Sequence, residues 1–247
     1  MNAIILAAGV ARRLAPLTDT THKALLPVGG RPLLTRMLAA LTEAGIRETV
    51  IVVGHCADQV RAIGGTRLGR MAIRYIENPQ YTKGSGLSLY AARAHLAEPA
   101  VVMDADVLFP REMIRRLLAI PAPSALLIDR GFNDTGEEVK LYTRGDRVIA
   151  LGKKTVPEAF ESVGEGVGFF KCGAAAGPEF VSAMEHVIAT GDGLNEYEDA
   201  LHILLQRVHV GWVDVTGLPW TEIDFVEDLH RAEDQVLPRV RALDQER

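Results

Sequence analysis

The sequence has little of what marks secreted, membrane-spanning or disulfide-bonded proteins. Only two of its 247 residues are cysteines, Cys56 and Cys172, and they stand far apart, outside any Cys-x-x-Cys spacing. Such a pair excludes a disulfide framework and a cysteine zinc site, and it fits a reducing compartment. No apolar run approaches the ~18 residues that a membrane-spanning helix needs. The first residues also lack the basic segment and the longer apolar stretch of a secretory signal. We therefore expect a cytoplasmic protein with no membrane partner.

The charge of the chain is not that of a nucleic-acid-binding protein. Its formal net charge is -5, with 27 basic and 32 acidic residues interleaved along the sequence. This balance gives no support for nucleic acid or an anionic membrane as the main partner. It still permits a small anionic substrate, because a few well-placed lysines can form a local positive site. The seven histidines show no His-x-His or His-Glu-x-x-His spacing, and we interpret them as non-catalytic.

Short apolar runs alternate with amphipathic stretches of helical period. This alternation predicts an α/β fold with crossover units around a mostly parallel sheet. Strands are predicted at 3–6, 49–53, 71–76, 100–103, 124–129, 138–144, 147–151, 166–172 and 210–216. Helices are predicted at 32–44, 57–63, 87–96, 178–189 and 198–207, and from residue 225 to the terminus.

The pattern changes after about residue 120, where a hairpin is predicted to turn at Gly145-Asp146. No linker, repeat or low-complexity stretch separates the two parts. We predict a single Rossmann-like three-layer domain over residues 1–247, with a mixed, mostly parallel central sheet and a small β-hairpin subregion for the substrate. About residues 1–120 would bind a nucleotide, and about residues 121–247 would bind the second substrate.

The most informative segment directly follows the first predicted strand. It reads Leu6-Ala7-Ala8-Gly9 and then Arg13-Leu14, and Lys23-Ala24-Leu25-Leu26-Pro27-Val28 comes soon after. Small residues at the carboxyl end of a strand let the backbone approach a ligand, and successive N–H groups there can bind phosphate oxygens. Arg13 and Lys23 would neutralise a triphosphate, the first by forked hydrogen bonds and the second as a movable point charge. The alternative is a tight turn with solvated basic residues. The segment matches neither the P-loop nor the GxGxxG dinucleotide pattern.

This segment resembles the signature of the nucleotidyltransferases that act on sugar phosphates and related small phosphates, and the resemblance extends over nearly the whole chain. In that signature the first strand leads into L-A-A-G-x-x-x-R-L and then K-x-L-x-P-V. Later motifs resemble the branch that includes phosphocholine, inositol-phosphate and phosphonate cytidylyltransferases. These motifs are Lys83-Gly84-Ser85-Gly86 with Ser88-Leu89, Glu138-Val139-Lys140, Ile149 to Lys153, Trp220-Thr221-Glu222-Ile223-Asp224 and Glu227-Asp228-Leu229.

Acidic residues follow two of the predicted strands. Asp104 and Asp106 lie at the carboxyl end of the fourth strand, where ligands of open α/β sheets bind. Mg²⁺ prefers one or two carboxylates together with phosphate oxygens and water. The resemblance places metal ligands at Asp106 and Asp224, with Glu222 a weaker candidate. The alternative is that Asp104 and Asp106 cap the helix near Pro110 and that Asp224 caps the last helix.

The resemblance also implies sites for the base and for the acceptor. The turn Gly84-Ser85-Gly86 would read the base, and CTP is favoured over another NTP by the branch resemblance alone. The alternative for this turn is a helix N-terminus with small residues for packing. Candidates for the acceptor's phosphate are Lys140 and Lys153, with Lys154 an alternative to the latter. Candidates for the rest of the acceptor are Glu196, Tyr197, Glu198, Trp220 and Glu222, although Tyr197 and Trp220 could equally be core residues.

Together these motifs predict a Mg²⁺-dependent nucleotidyltransferase. It would transfer CMP from CTP to a small phosphorylated alcohol or phosphonate and release pyrophosphate. Two alternatives stay open among enzymes, a sugar-1-phosphate nucleotidyltransferase that uses another NTP and an inositol-phosphate cytidylyltransferase. A third is a regulatory module that binds nucleotide without catalysis. The sequence does not indicate an oligomeric state.

Overall fold

The computed structural model describes residues 1–191 and 196–245. Its strands are β1 (Asn2–Ala7), β2 (Pro27–Val28), β3 (Arg31–Pro32), β4 (Glu48–Val53), β5 (Arg67–Leu68), β6 (Met71–Glu77), β7 (Ala100–Asp104), β8 (Val107–Leu108), β9 (Ala125–Asp129), β10 (Lys140–Arg144), β11 (Arg147–Gly152), β12 (Ser162–Cys172), β13 (Gly211–Asp214) and β14 (Thr221–Glu222). Its helices are α1 (Leu33–Glu43), α2 (Ala57–Gly64), α3 (Ser85–Ala91), α4 (Arg111–Ala119), α5 (Ala176–Thr190), α6 (Tyr197–Leu205), α7 (Val226–Arg231) and α8 (Leu237–Gln245).

A mixed ten-stranded sheet forms the centre of the molecule. Its strand order is β11-β10-β12-β7-β1-β4-β6-β5, and β9 pairs with both β12 and β13. The neighbours β7, β1, β4 and β6 run parallel to one another, whereas β12 is antiparallel to β7, β9 and β10. The predicted α/β fold with a mixed central sheet is confirmed.

The central strands are buried on both faces, as their continuous apolar sequences predict. Alternate residues pack into different apolar clusters, so that Ile5 faces the side covered by α1, α2 and α4, and Ile4 faces the side covered by α3, α5 and α6. The period of two along each strand therefore builds two cores, one on each face of the sheet. This arrangement gives the three layers that were predicted.

The end of the chain forms a continuous helical segment, in which a π-helical stretch (Ala232–Val236) joins α7 to α8. Its apolar residues Val236, Leu237 and Val240 pack against Leu14 and Leu26, which flank the segment singled out in the sequence. The C-terminal helical segment thus packs against the apolar side of the segment that contains Leu14 and Leu26. The helix was predicted to continue to the terminus, and residues 246–247 of that prediction lie outside the described part of the chain.

Several elements differ from the prediction in their bounds. Helix α3 begins at Ser85 rather than after Gly86, and a short 3₁₀ helix (Arg93–Leu96) follows it in place of a longer α-helix. Strand β12 begins at Ser162, before the predicted strand at 166–172, because its glycine-rich first half pairs with β10. Within residues 1–191 and 196–245, no helix is long and apolar enough to cross a membrane.

Candidate active site

A cleft of about 710 Å³ opens beyond the carboxyl ends of β1 and β7. One wall comes from the loop after β1 and from the start of α3, and the other from the end of β11 and the start of α6. The cleft therefore brings together residues from both halves of the chain. The predicted site residues that line it are Leu6, Ala8, Gly9, Arg13, Lys23, Gly84, Ser85, Asp106, Lys153, Glu196, Tyr197, Glu198, Glu222 and Asp224.

The loop after β1 is held at its far end and open toward the cleft. Leu14 is fully buried under the C-terminal helix, and the Thr18 hydroxyl donates to the Ala11 carbonyl at 2.9 Å. Ala11 has a left-handed conformation, with φ of 53°. At Gly9, by contrast, an added Cβ would meet no atom within 4 Å. The glycine therefore leaves the backbone free for close approach by a ligand.

Lys23 lies at the centre of the acidic side of the cleft. Its Nζ is 2.5 Å from Asp106 Oδ2 and 2.8 Å from Asp224 Oδ1, and its side chain is only 14% exposed. Burial opposes the charged form of Lys23, but Asp106 and Asp224 outweigh this effect and raise its pKa. The Arg13 guanidinium bonds the other oxygen of Asp224 at 2.5 Å and lies over the Phe225 ring. Both predicted cations thus contact the predicted metal ligands.

Three carboxylates meet beside these cations. Asp106, Glu222 and Asp224 each place one oxygen within 4.8 Å of the oxygens of the other two. They come from distant parts of the sequence and are joined by the pairing of β8 with β14 and by the Ile223 N–H, which donates to the Asp106 carbonyl at 3.0 Å. Desolvation, reinforced by the charges of Asp106 and Asp224, raises the pKa of Glu222 to about 8.

This group of carboxylates fits a divalent cation. Asp106 Oδ1 is buried and has no hydrogen-bond partner among the described residues. A buried carboxylate oxygen without a partner is unfavourable unless a cation or water completes it. Oxygen ligands from two or three carboxylates are the donor set that Mg²⁺ accepts. The composition of the site therefore agrees with the predicted metal at Asp106 and Asp224.

The capping roles weighed as alternatives for these acids belong to other residues. The carboxylate of Asp228 accepts the N–H groups of Asp224 and Phe225 at the start of α7, at 3.0 and 2.8 Å. The first N–H of α4, from Arg111, donates to Asp244 at 3.0 Å. Asp106 and Asp224 are consequently free to face the cleft.

Asp104, the last residue of β7, connects this strand to α6. The Tyr197 hydroxyl donates to its Oδ2 at 2.8 Å, and burial together with neighbouring Asp106, Glu198 and Glu222 raises the pKa of Asp104 well above its ordinary range. Space for this carboxyl exists because β12 has an irregularity around Gly168, whose φ is +75°. A Cβ there would lie 2.3 Å from Asp104 Oδ2.

We expect Gly168→Ala to lower the free energy of unfolding by roughly 2–4 kcal/mol, since it adds a left-handed alanine and an overpacked contact. The matched control is Gly217→Ala, because Gly217 has a φ of +85° but no atom within 4 Å of an added Cβ. The control should cost only about 1 kcal/mol. Urea denaturation of both variants measures the difference, and equal losses would show that the clash with Asp104 is absent.

A polar network ties the start of α6 to the start of α3. The Ser85 N–H donates to Glu196 at 3.0 Å, its hydroxyl also contacts that carboxylate, and the Tyr197 N–H donates to the Ser85 oxygen at 3.0 Å. Glu198 follows on the same helix, and its buried Oε2 has no partner among the described residues. Burial, followed by the nearby acids Glu196 and Asp199, raises the pKa of Glu198 to about 7.

Some predicted residues lie outside the cleft. Ala7 is buried in the sheet, Gly86 is buried in the first turn of α3, and Lys154 does not line the cleft. Lys140, at the start of β10, pairs with Asp134 at 2.9 Å. Trp220 packs against one apolar cluster, and its indole donates to Asp129 at 2.8 Å.

Other residues were not anticipated. Glu137 lies between two cations of the site, 3.5 Å from Lys153 and 3.9 Å from Arg13. Asp199 lines the cleft beside Glu198. No local pattern distinguishes either acid from solvated surface residues, since both positions depend on how distant segments pack.

A family model and several known proteins match this chain. The model of the MobA-like NTP transferase domain matches residues 3–144. The CMP-5'-(3-aminopropyl)phosphonate synthase of Streptomyces rubellomurinus is 29% identical over 96% of this chain, and the bifunctional IPC transferase and DIPP synthase of Rubrobacter xylanophilus is 31% identical over 96%. The chain spans only 39% and 52% of the lengths of these two relatives.

A solved structure has the same fold over nearly its full length. The CTP:phosphocholine cytidylyltransferase of Streptococcus pneumoniae superposes with a TM-score of 0.72 at 24% identity, over 94% of this chain and 97% of that one. The family model covers the first strand, the Gly9 loop, Lys23 and Asp106. The chain therefore belongs to the MobA-like NTP transferase domain family.

Proposed function

We propose that this protein is a cytoplasmic Mg²⁺-dependent cytidylyltransferase that transfers CMP from CTP to a small phosphate or phosphonate and releases pyrophosphate. The observation that carries the proposal is the meeting of Lys23, Asp106 and Asp224 beside the open Gly9 loop. A phosphate-binding loop, movable cations and a carboxylate metal site are the parts that phosphoryl transfer requires. The choice of CTP is supported by the names of two similar proteins, a CMP-5'-(3-aminopropyl)phosphonate synthase and a CTP:phosphocholine cytidylyltransferase.

The residues of the cleft account for the transfer by positioning and by charge. The backbone after Gly9 would hold the triphosphate, with the base near Gly84 and Ser85. Arg13 and Lys23 would stabilise the charge that develops on the departing pyrophosphate. Mg²⁺ held by Asp106 and Asp224 would supply further charge stabilisation at the triphosphate. The acceptor needs no general base, because its phosphate or phosphonate is already an anionic nucleophile, and Lys153 would orient it.

The far side of the cleft favours an acceptor that carries a positively charged nitrogen. Glu198 presents a buried carboxylate oxygen that has no hydrogen-bond partner within residues 1–191 and 196–245, and Glu196 and Asp199 line the same region. A cationic nitrogen would give this oxygen a charge-assisted hydrogen bond, whereas a hydroxyl of a neutral polyol would donate a weaker one. The names of two similar proteins, an aminopropylphosphonate synthase and a phosphocholine enzyme, agree with such an acceptor.

We expect Glu198→Gln to raise the KM for 2-aminoethylphosphonate or phosphocholine about tenfold or more, since the buried partner of the nitrogen loses its charge. The KM for CTP should change little. Glu179→Gln is a suitable control, because Glu179 lies on α5 and pairs with Arg207 away from the cleft. An unchanged KM for both acceptors would contradict the assignment of Glu198 to the nitrogen.

The proposal is tested by a substrate screen. Purified protein is incubated with Mg²⁺, each of the four NTPs and a panel of phosphocholine, 2-aminoethylphosphonate, inositol phosphate and hexose 1-phosphates, and pyrophosphate is measured. Release with CTP and an amine-bearing acceptor is the expected result. Release only with UTP or dTTP and a hexose phosphate would contradict the choice of nucleotide and of acceptor.

A further inference from the structure

Lys23 holds the two carboxylates to which the metal is assigned. Its ammonium bridges Asp106 at 2.5 Å and Asp224 at 2.8 Å, while Arg13 bonds the second oxygen of Asp224 at 2.5 Å. Of the four oxygens of these two acids, Asp106 Oδ1 has no hydrogen-bond partner among the described residues. The protein's own cations therefore neutralise the carboxylates in this structure.

A divalent ion could not join both carboxylates while the lysine stays there. Mg²⁺ takes its oxygen ligands at about 2.0–2.1 Å and demands near-ideal geometry, so it needs the space between the two acids. An ammonium in that space would block the ion sterically and repel it. Metal binding at Asp106 and Asp224 thus requires Lys23 to leave.

The backbone of Lys23 is held by hydrogen bonds, and its side chain lines the cleft. The backbone is held in a 3₁₀ turn, in which His22 Nδ1 accepts the Ala24 N–H at 3.1 Å and the Leu26 N–H donates to the Lys23 carbonyl at 3.1 Å. Ala24 and Leu25 anchor this turn in the core. The four-carbon arm lines the cleft together with Gly9 and Arg13, so a triphosphate on the loop is within the same open space.

We infer that Lys23 occupies the cation position of this site until a nucleoside triphosphate draws its ammonium away. The divalent ion would then bind tightly only together with the nucleotide. The inference rests on the proposed function, because it assumes that the cleft accepts a metal–nucleotide pair. Since coupling between two ligands is reciprocal, the same exchange makes the nucleotide bind more tightly when the metal is present. Lys23 thereby prevents a free ion from occupying the site in the absence of substrate.

The test is direct titration with Mn²⁺ in the absence of nucleotide, followed by electron paramagnetic resonance of the free ion. Lys23→Met removes the ammonium but keeps a side chain of similar length. We expect this variant to bind Mn²⁺ at least tenfold more tightly than the unmodified protein. Equal or weaker binding by the folded variant would overturn the inference.

A matched variant separates displacement from a general effect of charge. Lys153 lines the cleft and contacts Glu137, and it acts on Asp224 through its charge without bonding it. Lys153→Met should change the Mn²⁺ affinity less than threefold. An equal gain in Lys153→Met and Lys23→Met would overturn the inference, because a general loss of positive charge would then explain both.

Two further measurements keep the test decisive. Circular dichroism establishes that each variant is folded, and Lys23→Gln, which keeps a polar side chain without the charge, replaces Lys23→Met if the latter does not fold. The substrate screen is independent of these titrations. If no NTP gives pyrophosphate release but Lys23→Met binds Mn²⁺ more tightly, only the proposed function is rejected. If pyrophosphate is released but Lys23→Met does not bind Mn²⁺ more tightly, only the inference is rejected.

Discussion

Replacing Lys23 with alanine is expected to lower the turnover number for pyrophosphate release by about a hundred- to a thousandfold. Its partly buried ammonium contacts both Asp106 and Asp224, and removing one charge or donor that stabilises developing negative charge has an effect of this size. Steady-state kinetics with saturating CTP and acceptor measures the loss.

The control for this substitution is Arg70→Ala. It removes one positive charge from the exposed turn between β5 and β6, away from the cleft, and it should leave turnover within about twofold of the original value, as expected for a surface change. The loss in Lys23→Ala should persist at high Mg²⁺, because tighter metal binding does not replace the cation at the pyrophosphate. Near-original turnover of a folded Lys23→Ala protein would contradict the catalytic assignment.

Asp106→Asn is expected to lower turnover by a similar factor, about a thousandfold, and to raise the Mg²⁺ concentration needed for half-maximal rate. Asparagine keeps the shape of the side chain but removes the negative charge that a divalent ion requires. The fold should survive, because asparagine has nearly the same size and shape as aspartate and keeps one oxygen that can accept from Lys23.

The comparison for Asp106→Asn is Asp234→Asn, an exposed acid on the C-terminal helical segment. Rates of both variants are measured across a Mg²⁺ titration. The Asp234→Asn protein should follow the original curve. A normal Mg²⁺ dependence in Asp106→Asn would show that this carboxylate is not a metal ligand.

The site residues that could be predicted from the sequence each lie close to the end of one predicted strand. Gly9 follows β1, and Asp106 closely follows β7, so strand prediction and local residue types were enough to place them at one edge of the sheet. The meeting of Lys23 with Asp224 is different. It depends on the two-residue strands β8 and β14, which are too short to give a periodic signal.

Other features could not be predicted because local residue types indicate a different structure or because the contact depends on tertiary packing. The first residues of β12, 162–165, include Gly164, and glycine is depleted in strands, so the sequence pattern indicates a strand only from residue 166 onward. The contact of Tyr197 with Asp104 depends on the docking of α6 against the sheet. Lys140 and Trp220 have residue types that suit an acceptor site, and in the structure they pair with Asp134 and Asp129, so their acceptor role stays a prediction.

The central claim is that CMP is joined to the phosphorus-bound oxygen of the acceptor, and ³¹P nuclear magnetic resonance of the reaction products tests it most directly. The protein is incubated with CTP, Mg²⁺ and either phosphocholine or 2-aminoethylphosphonate. The account predicts pyrophosphate in equal amount to a product whose two phosphorus resonances are coupled through a shared oxygen. Formation of free CMP and pyrophosphate with the acceptor unchanged, or no consumption of CTP with either acceptor, would contradict it.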